Sequence, residues 1–374
     1  MKNPKIIDLF SGAGGLSLGA ERAGFSVVGA VELDTKAMES HKKNFPKTIH
    51  IHEDLKTLSG SDILNILDID KLDGIIGGPP CQGFSSMGKR EVSDYRNELF
   101  IHYFKLVSEI QPSFFVAENV PGILSKKYDK IRSKAYEYVN NYILLPPFKA
   151  TATDFGAPTS RTRVFFVGYK KGVIQNLTQS DFDKYKIPLS ELAKIETAFE
   201  GLPANLDFIN SNYSKVVIRN EIFNKFPYYF SRVTGHIPER MISSMTEYYL
   251  DHHIVSGFNK TNHTDNVKKR FETLPHGAHD KVSKSKKLEP MGIAPTLRAG
   301  TGSDKGSYQA VRPIHYGEGR VITPREAARI QGFPDWFEFD STIWHSFRQI
   351  GNSVSPLVAE GVLLPIYQKL TSLK

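Results

Sequence analysis

Short runs rich in β-branched and aromatic residues punctuate the first half of the chain, at 5–10, 26–31, 48–52, 72–76, 113–117, 148–154 and 164–169. Most stop at a glycine or a charged residue, the signature of buried strands bounded by turns. Between them the period changes. Over 98–110, Leu99, Tyr103, Leu106, Val107 and Ile110 recur at helical spacing, one apolar face on an otherwise polar segment. Strand and helix in alternation predict an α/β fold with a Rossmann-like, mixed seven-stranded sheet over residues 1–189. From 190 to 292 the alternation stops and the composition turns polar, with Tyr228, Tyr229, Phe230, Phe258 and Phe271 as scattered aromatics. That change predicts a smaller, irregular second domain. Further on, Thr323-Pro324-Arg325-Glu326 has the form of a capping box with proline at the first helical position, and Gly332 and Pro334 stop the helix. Glu326 and Gln331 are therefore read as structural. No internal repeat or low-complexity tract interrupts the chain.

The polar residues at strand ends supply candidate chemistry. The first run meets Phe10-Ser11-Gly12-Ala13-Gly14-Gly15 and then a helical pattern. A strand, a glycine turn and a helix N-terminus let a ligand touch backbone and offer amides to an anionic group. Glu32 closes the second run twenty residues after Gly12, where a carboxylate accepts ribose hydroxyls, and Asp54 follows the third run, placed to receive an adenine amine. Together these favour a nucleoside ligand over a plain tight turn, while leaving hydride transfer open. The fourth run changes that. It feeds Gly77-Gly78-Pro79-Pro80-Cys81-Gln82-Gly83-Phe84, whose two prolines stiffen the approach to the one cysteine in 374 residues. A thiol past a strand end, in a turn too polar for core, is a candidate nucleophile. Glu118 at the end of the fifth run is a candidate proton donor. Arg161-Thr162-Arg163, read as a hairpin, is either a solvated face or a holder of an anion or a carbonyl oxygen.

Composition narrows the setting. Hydrophobic residues make up 40% and charged residues 24%, ordinary for a soluble protein. A single cysteine excludes an internal disulfide and a cysteine-built zinc site, and fits a reducing compartment. No apolar run reaches membrane-spanning length, and Asp8 interrupts any leader-like start, so the expected location is the cytoplasm or nucleoid, with no membrane partner. The net charge of +8 suggests a polyanionic partner, and residues 260–290 carry eight Lys or Arg against four Asp or Glu. His252 with His253, and His276 with His279, lack a third ligand at sensible spacing and are read as loop or phosphate contacts. No metal site is expected.

Taken in order, these motifs resemble the cytosine-C5 DNA methyltransferases of bacterial restriction–modification systems. The resemblance rests on Asp8-Leu9-Phe10-Ser11-Gly12-Ala13-Gly14-Gly15-Leu16, Glu32, Asp54, Gly78-Pro79-Pro80-Cys81-Gln82-Gly83-Phe84-Ser85, residues 96–100, Glu118-Asn119-Val120, Arg161-Thr162-Arg163, Pro295-Thr296-Leu297-Arg298-Ala299-Gly300 and Gln349-Ile350-Gly351-Asn352-Ser353-Val354. It covers about 5–170 and 291–358. One departure is Ser355 before Pro356, where many members carry a second proline; it bears on local stiffness and not on chemistry.

The resemblance implies a DNA (cytosine-5-)-methyltransferase that carries the methyl of S-adenosylmethionine to C5 of a cytosine turned out of duplex DNA. Cys81 would add to C6, Glu118 would protonate N3, and Arg163 would hold O2, with Arg161 supporting the site or a phosphate. The cofactor would lie against Phe10, Ser11, Gly12, Ala13, Gly14 and Gly15, with Glu32 on the ribose and Leu33 against the adenine. Asp54 and Leu55 would read the adenine edge, and Pro80, Leu99, Asn352 and Val354 would close the site. DNA contacts would come from Gln82, Ser85, Lys89, Arg90 and Arg96 of a closing loop and from Thr296 and Arg298. The domains become a catalytic cofactor-binding domain at 1–189, a target-recognition domain at 190–292, a hinge and remainder of the small domain at 293–345, and a segment at 346–374 that packs back on the first. A monomer is expected, with a cognate restriction endonuclease only as a genetic partner. Two other readings stay open: a tRNA cytosine-C5 methyltransferase, disfavoured by a variable region of about a hundred residues, and a catalytically silent DNA-binding homologue, disfavoured by the intact Cys81, Glu118 and Arg163.

Overall fold

The computed structural model describes residues 3–80, 96–207, 215–218, 226–299 and 310–372. The chain groups into two compact units: Met1–Thr151, Thr162–Lys186 and Val358–Lys374 in the first, Ala152–Arg161 and Ile187–Leu357 in the second. Among the described residues no helix is long and apolar enough to cross a membrane.

The first unit is built on strands β1 (Lys5–Leu9), β2 (Ser26–Val31), β3 (Ile49–Ile51), β4 (Gly74–Gly77), β5 (Phe114–Asn119), β6 (Ile143–Leu144), β7 (Phe148–Thr151) and β8 (Thr162–Tyr169). Helices α1 (Gly15–Ala23), α2 (Thr35–Asn44), α3 (Gly60–Leu67), α4 (Arg96–Ile110), α5 (Asp129–Glu137) and α6 (Gln179–Asp183) connect and flank them. The sheet has eight strands, one more than the pattern predicts, because the two-residue β6 leaves no periodic trace. Its order is β3-β2-β1-β4-β5-β8-β6, with β7 also paired to β8. The first five are parallel, and β8 runs antiparallel to β5.

Chain direction explains where a site can form. From β1 the chain steps outward to β2 and β3, then returns to place β4 on the other side of β1. The crevice outside the carboxyl ends of β1 and β4 is thus a topological switch point, where parallel α/β sheets bind ligands. Ile7, Leu9, Ile75, Phe100, Tyr103, Phe104, Phe115 and Ala117 are buried in one apolar cluster. Gly77 is required by its neighbour, since a Cβ there would stand 2.3 Å from Leu9 O.

Two predicted borders moved. The seventh run starts as β8 at Thr162, so Arg163 is a strand residue opposite Ala150 and not part of a hairpin turn. The run at 148–154 ends as strand at Thr151, because residues Ala152–Phe155 form a 3₁₀ turn where the chain leaves the first unit.

The second unit holds α7 (Ile195–Phe199), β9 (Val216–Val217), α8 (Pro227–Val233), α9 (Ser244–His252), β10 (Ile254–Val255), α10 (Asp265–Thr273), α11 (Pro324–Ile330) and α12 (Ile343–Asn352). Its named strands are the two-residue pair β9–β10. The capping box of α11 forms: Glu326 N–H donates to Thr323 Oγ1 at 3.2 Å, and Thr323 N–H to Glu326 Oε2 at 2.7 Å. Buried arginines hold the irregular chain. Arg325 donates to the carbonyls of Ser256, Pro334 and Phe337, and Arg329 grips Asp335 through two bonds of 2.9 and 2.6 Å. The last helix, α13 (Pro356–Thr371), belongs to the first unit from Val358 onward, where Tyr367 meets the Phe25 ring edge-on at 5.3 Å.

Candidate active site

The glycine turn follows β1 directly. Phe10 takes φ 65°, Gly12 φ 56° and Gly14 φ 105°, so three of five consecutive residues occupy the left-handed region. Gly14 is the N-cap of α1, and a Cβ on it would strike the Phe45 ring at 2.3 Å. A Cβ on Gly12 would meet nothing within 4 Å. Glu32, just past β2, is tied to this turn: Gly12 N–H donates to its Oε2 at 2.8 Å and Asp34 N–H to its Oε1 at 2.7 Å. Burial raises its pKa above the usual glutamate value, against those hydrogen bonds. Ser11 and Ala13 are buried, and Ser11 Oγ has no hydrogen-bond partner among the described residues.

The second cluster lies across the ends of β4, β5 and β8. Leu9 pairs with Gly77 and Gly77 with Ala117, so Phe10, Gly78 and Glu118 continue one row. Glu118 pairs with Phe165, and Arg163 lies two residues away on the same face of β8. The result is an ion pair, Arg163 Nε to Glu118 Oε1 at 2.7 Å, with the two side chains 15% and 12% exposed. Arg163 Nη1 donates to Thr162 O at 2.9 Å, which fixes the guanidinium plane. A Cβ on Gly78 would stand 2.9 Å from Glu118 Oε2, so the segment leading to Cys81 passes against this carboxylate. Asn119 adds a clamp that sequence reading did not single out: its Nδ2 donates to Pro79 O at 3.2 Å, and its Oδ1 accepts Val120 N–H at 2.9 Å. Its signal in the sequence was its place in Glu118-Asn119-Val120 at a strand end, with no role attached.

Other expected residues are distributed as follows. Leu33 is 61% exposed. Asp54 is exposed and caps a 3₁₀ turn by accepting Lys56 N–H at 3.0 Å. Leu55 is packed in the core, and its carbonyl lies 2.9 Å from His102 Nε2. Leu99 is buried at the start of α4, and Pro80 is half-buried. Arg161 is grouped with the second unit, where its buried side chain donates from Nη1 to Leu297 O at 3.3 Å, while Arg163 belongs to the first unit. In the same unit Thr296 is half-buried, Arg298 is exposed and paired with Val311, Asn352 is exposed at the end of α12, and Val354 is buried. His276 Nε2 lies 3.0 Å from Tyr316 O. Cys81, Gln82, Ser85, Lys89, Arg90 and the side chain of Arg96 lie outside the described residues.

Comparison with known proteins gives the family. Residues 4–368 match the family model for C-5 cytosine-specific DNA methylase. The chain is 37% identical over 374 residues to the type II methyltransferase M.XorII of Xanthomonas oryzae pv. oryzae, covering 97% of this chain and 84% of that protein. It is 33% identical to the type II methyltransferase M.DdeI of Desulfomicrobium norvegicum, over 96% of this chain and 87% of the relative. Among solved structures, a prophage-encoded E. coli protein assigned as a DNA modification methyltransferase superposes with TM-score 0.87 at 44% identity, covering 99% of this chain and 100% of that one. The S. pombe Dnmt2 methyltransferase shares the fold at TM-score 0.64 and 17% identity, over 98% and 99% of the two chains. A strand-end carboxylate paired to a guanidinium, beside a glycine turn at the switch point of a parallel sheet, thus sits in a chain that belongs to the C-5 cytosine-specific DNA methylase family.

Proposed function

We propose that this enzyme methylates C5 of a cytosine turned out of a specific duplex DNA site, through a transient bond from Cys81 to C6, and that it protects DNA within a restriction–modification system. The observation that carries the reading is the Glu118–Arg163 pair, with Gly78 and the clamped Pro79 beside it, three and two residues before Cys81. Cytosine C5 is a poor nucleophile until a group adds to C6. The Cys81 thiolate forms that bond while Glu118 delivers a proton to N3 and Arg163 holds the O2 carbonyl. The ring becomes an enamine whose C5 takes the methyl. Loss of the C5 proton to solvent then expels Cys81, and the N3 proton returns to Glu118.

The methyl donor of this reading is S-adenosylmethionine, which when bound supplies an electrophilic methyl on a sulfonium. Residues of the turn fit it: the open space at Gly12, the Ser11 hydroxyl with no partner among the described residues, and a Glu32 carboxylate already oriented by two backbone N–H groups for a ribose diol. Leu33 would face the adenine and Asp54 its amine. The duplex hides C5 and C6, so the target base must leave the stack at a cost of a few kcal/mol. Lys89, Arg90 and Arg96, with Gln82 and Ser85, would offset that through phosphate and base-pair contacts. The second unit, with Thr296 and Arg298, is read as the DNA-recognising part. A monomer in the cytoplasm, beside a genetically linked endonuclease, is the expected setting.

Tritiated methyl transfer to duplex DNA and to tRNA tests substrate class. Incorporation into duplex DNA alone is expected, and label in tRNA alone would overturn the proposal. DNA containing 5-fluorocytosine should yield a covalent adduct, because fluorine cannot leave as the C5 proton does.

A further inference from the structure

Behind the glycine turn, four polar side chains form a continuous line through the first unit. Ser17 Oγ of α1 donates to Asp8 Oδ2 of β1 at 2.5 Å. His41 Nε2 of α2 stands 3.1 Å from Ser17 Oγ, and His41 Nδ1 stands 2.9 Å from His50 Nε2 of β3. Asp8, Ser17 and His41 are buried, while His50 is partly exposed. The line is fixed to the turn itself. His41 stacks on Phe45 at 4.1 Å, and the same Phe45 ring occupies the place a Cβ on Gly14 would take. Asp8 Oδ1 has no partner among the described residues.

The groups facing this line are few. Glu32 and Tyr103 face Asp8, and Lys42 and the main chain of Thr48 face His50. Burial, only partly opposed by the Ser17 bond and reinforced by Glu32, pushes the Asp8 carboxyl up to about 7. Burial likewise lowers His41 and takes His50 down to about 4, so both rings are neutral at neutral pH. A neutral imidazole has one donor and one acceptor nitrogen, so a line of two has only two self-consistent arrangements. With Asp8 ionised, Ser17 donates to Asp8, His41 Nε2–H to Ser17, and His50 Nε2–H to His41 Nδ1. When one proton arrives at His50 Nδ1, His50 passes its Nε2 proton to His41 Nδ1, His41 its Nε2 proton to Ser17, and Ser17 its own to Asp8. Every atom keeps its valence. The carboxylate becomes a carboxylic acid, and both rings change tautomer.

We propose that Ser17, His41 and His50 form a proton relay joining the surface to the Asp8 carboxyl, and that Asp8's charge, so set, tunes how tightly the glycine turn takes its cationic methyl donor. This rests on the reading that the turn binds S-adenosylmethionine. The physical basis is that a buried carboxylate attracts a cation in low dielectric far more strongly than an exposed one does. Ser17 and His41 are positioning residues in this account, since they act through Asp8.

The relay itself is tested on the full chain without donor, by nitrogen NMR of labelled histidines between pH 5.5 and 8.5. Expected is a joint change of His41 and His50 from Nε2–H to Nδ1–H as the pH falls through about 7. Tautomers that stay fixed, or that change at separate pH values, overturn it. Calorimetry then measures donor affinity over the same range. S-adenosylmethionine should bind more tightly as pH rises through the midpoint, about tenfold for each tenfold strengthening of Asp8 as an acid by the bound cation. S-adenosylhomocysteine, with a neutral sulfur, should show a flatter curve, and equal curves overturn the charge coupling. Ser17→Ala should move the affinity midpoint to higher pH and abolish the joint tautomer change, while Ser17→Thr restores both. His50→Gln, at a partly exposed position, should leave the fold intact and remove the His41 tautomer change. If S-adenosylmethionine fails to bind at any pH while the tautomers still change together, the donor reading fails and the relay stands.

Discussion

The two units of this methyltransferase solve the same problem, buried backbone polarity, by opposite means. In the first, parallel strands satisfy one another's amides and carbonyls, so most of the interior is apolar, Ile7, Ile75, Phe104, Phe115 and their neighbours, with the Asp8–Ser17–His41 line as a polar exception. Among the described residues of the second, the ladder is nearly absent, and side chains take its place. Arg325 is 1% exposed and donates to three carbonyls; Arg329 is fully buried and binds the Ala198 and Glu200 carbonyls as well as Asp335. Arg320 is paired to Glu326 by two bonds of 2.9 and 2.7 Å, and also reaches Ala204 O. Guanidinium suits this work, because its planar fork carries five donors and stays charged. Buried polar groups must be paired whatever the fold, so a region with irregular loops needs such staples. A region of sheet can devote its charged residues to the strand ends, where the Glu118–Arg163 pair stands.

The largest expected effect separates chemistry from framework. Cys81→Ser should abolish methyl transfer, by at least about a thousandfold for loss of a covalent nucleophile, while donor binding measured by calorimetry survives; retained turnover would refute the nucleophile assignment. Next is the contrast between the two cores. Arg329→Met leaves buried Asp335 with only the Arg325 guanidinium at 4.0 Å and should cost about 3–5 kcal/mol, against about 0.5–1.5 kcal/mol for Ile75→Val in the apolar core. Chemical denaturation of both variants gives the comparison, and equal losses would mean that the second unit does not depend on its staples. Gly77→Ala places a Cβ 2.3 Å from Leu9 O and should cost about 1–3 kcal/mol through overpacking, with activity falling because the row Phe10–Gly78–Glu118 shifts.

The last contrast is a pH dependence that each unit shares. Burial lowers His50 in the first unit and His315 in the second, each to about 4 from 6.5. A histidine held neutral in the folded state binds its proton more readily when unfolded. Its contribution is therefore full above pH 6.5 and lost as pH falls toward 4. Thermal melting between pH 7 and 4 should show His50→Gln and His315→Gln each flattening that decline; a slope unchanged in both would discount the two rings.

Much of the candidate site was legible because it lies at strand ends. Apolar runs mark where strands end, and there stand the glycine turn Ser11 to Gly15, Glu32 just past β2 and Glu118 in the last two residues of β5, set by chemistry or backbone geometry. Arg161 and Arg163 show the limit. Two residues apart in sequence, they go to different units, one onto the Leu297 carbonyl and the other onto Glu118. Their type and spacing carry no information about which carbonyl or carboxylate will arrive opposite. Leu55 shows it too: a leucine next to an exposed aspartate turned inward to the core.

By itself the sequence determined the α/β alternation, the glycine turn, the proline-braced cysteine, the helix cap at Thr323 and the family resemblance, because each is written in local periodicity, backbone preference or motif order. Tertiary structure alone decided that β4 lies against β1, that Gly78 meets Glu118, that Asn119 holds Pro79, and that Asp8, Ser17, His41 and His50 align. Those facts depend on strand order and register, which are settled by long-range pairing and packing between segments far apart in the chain, and no local pattern encodes them.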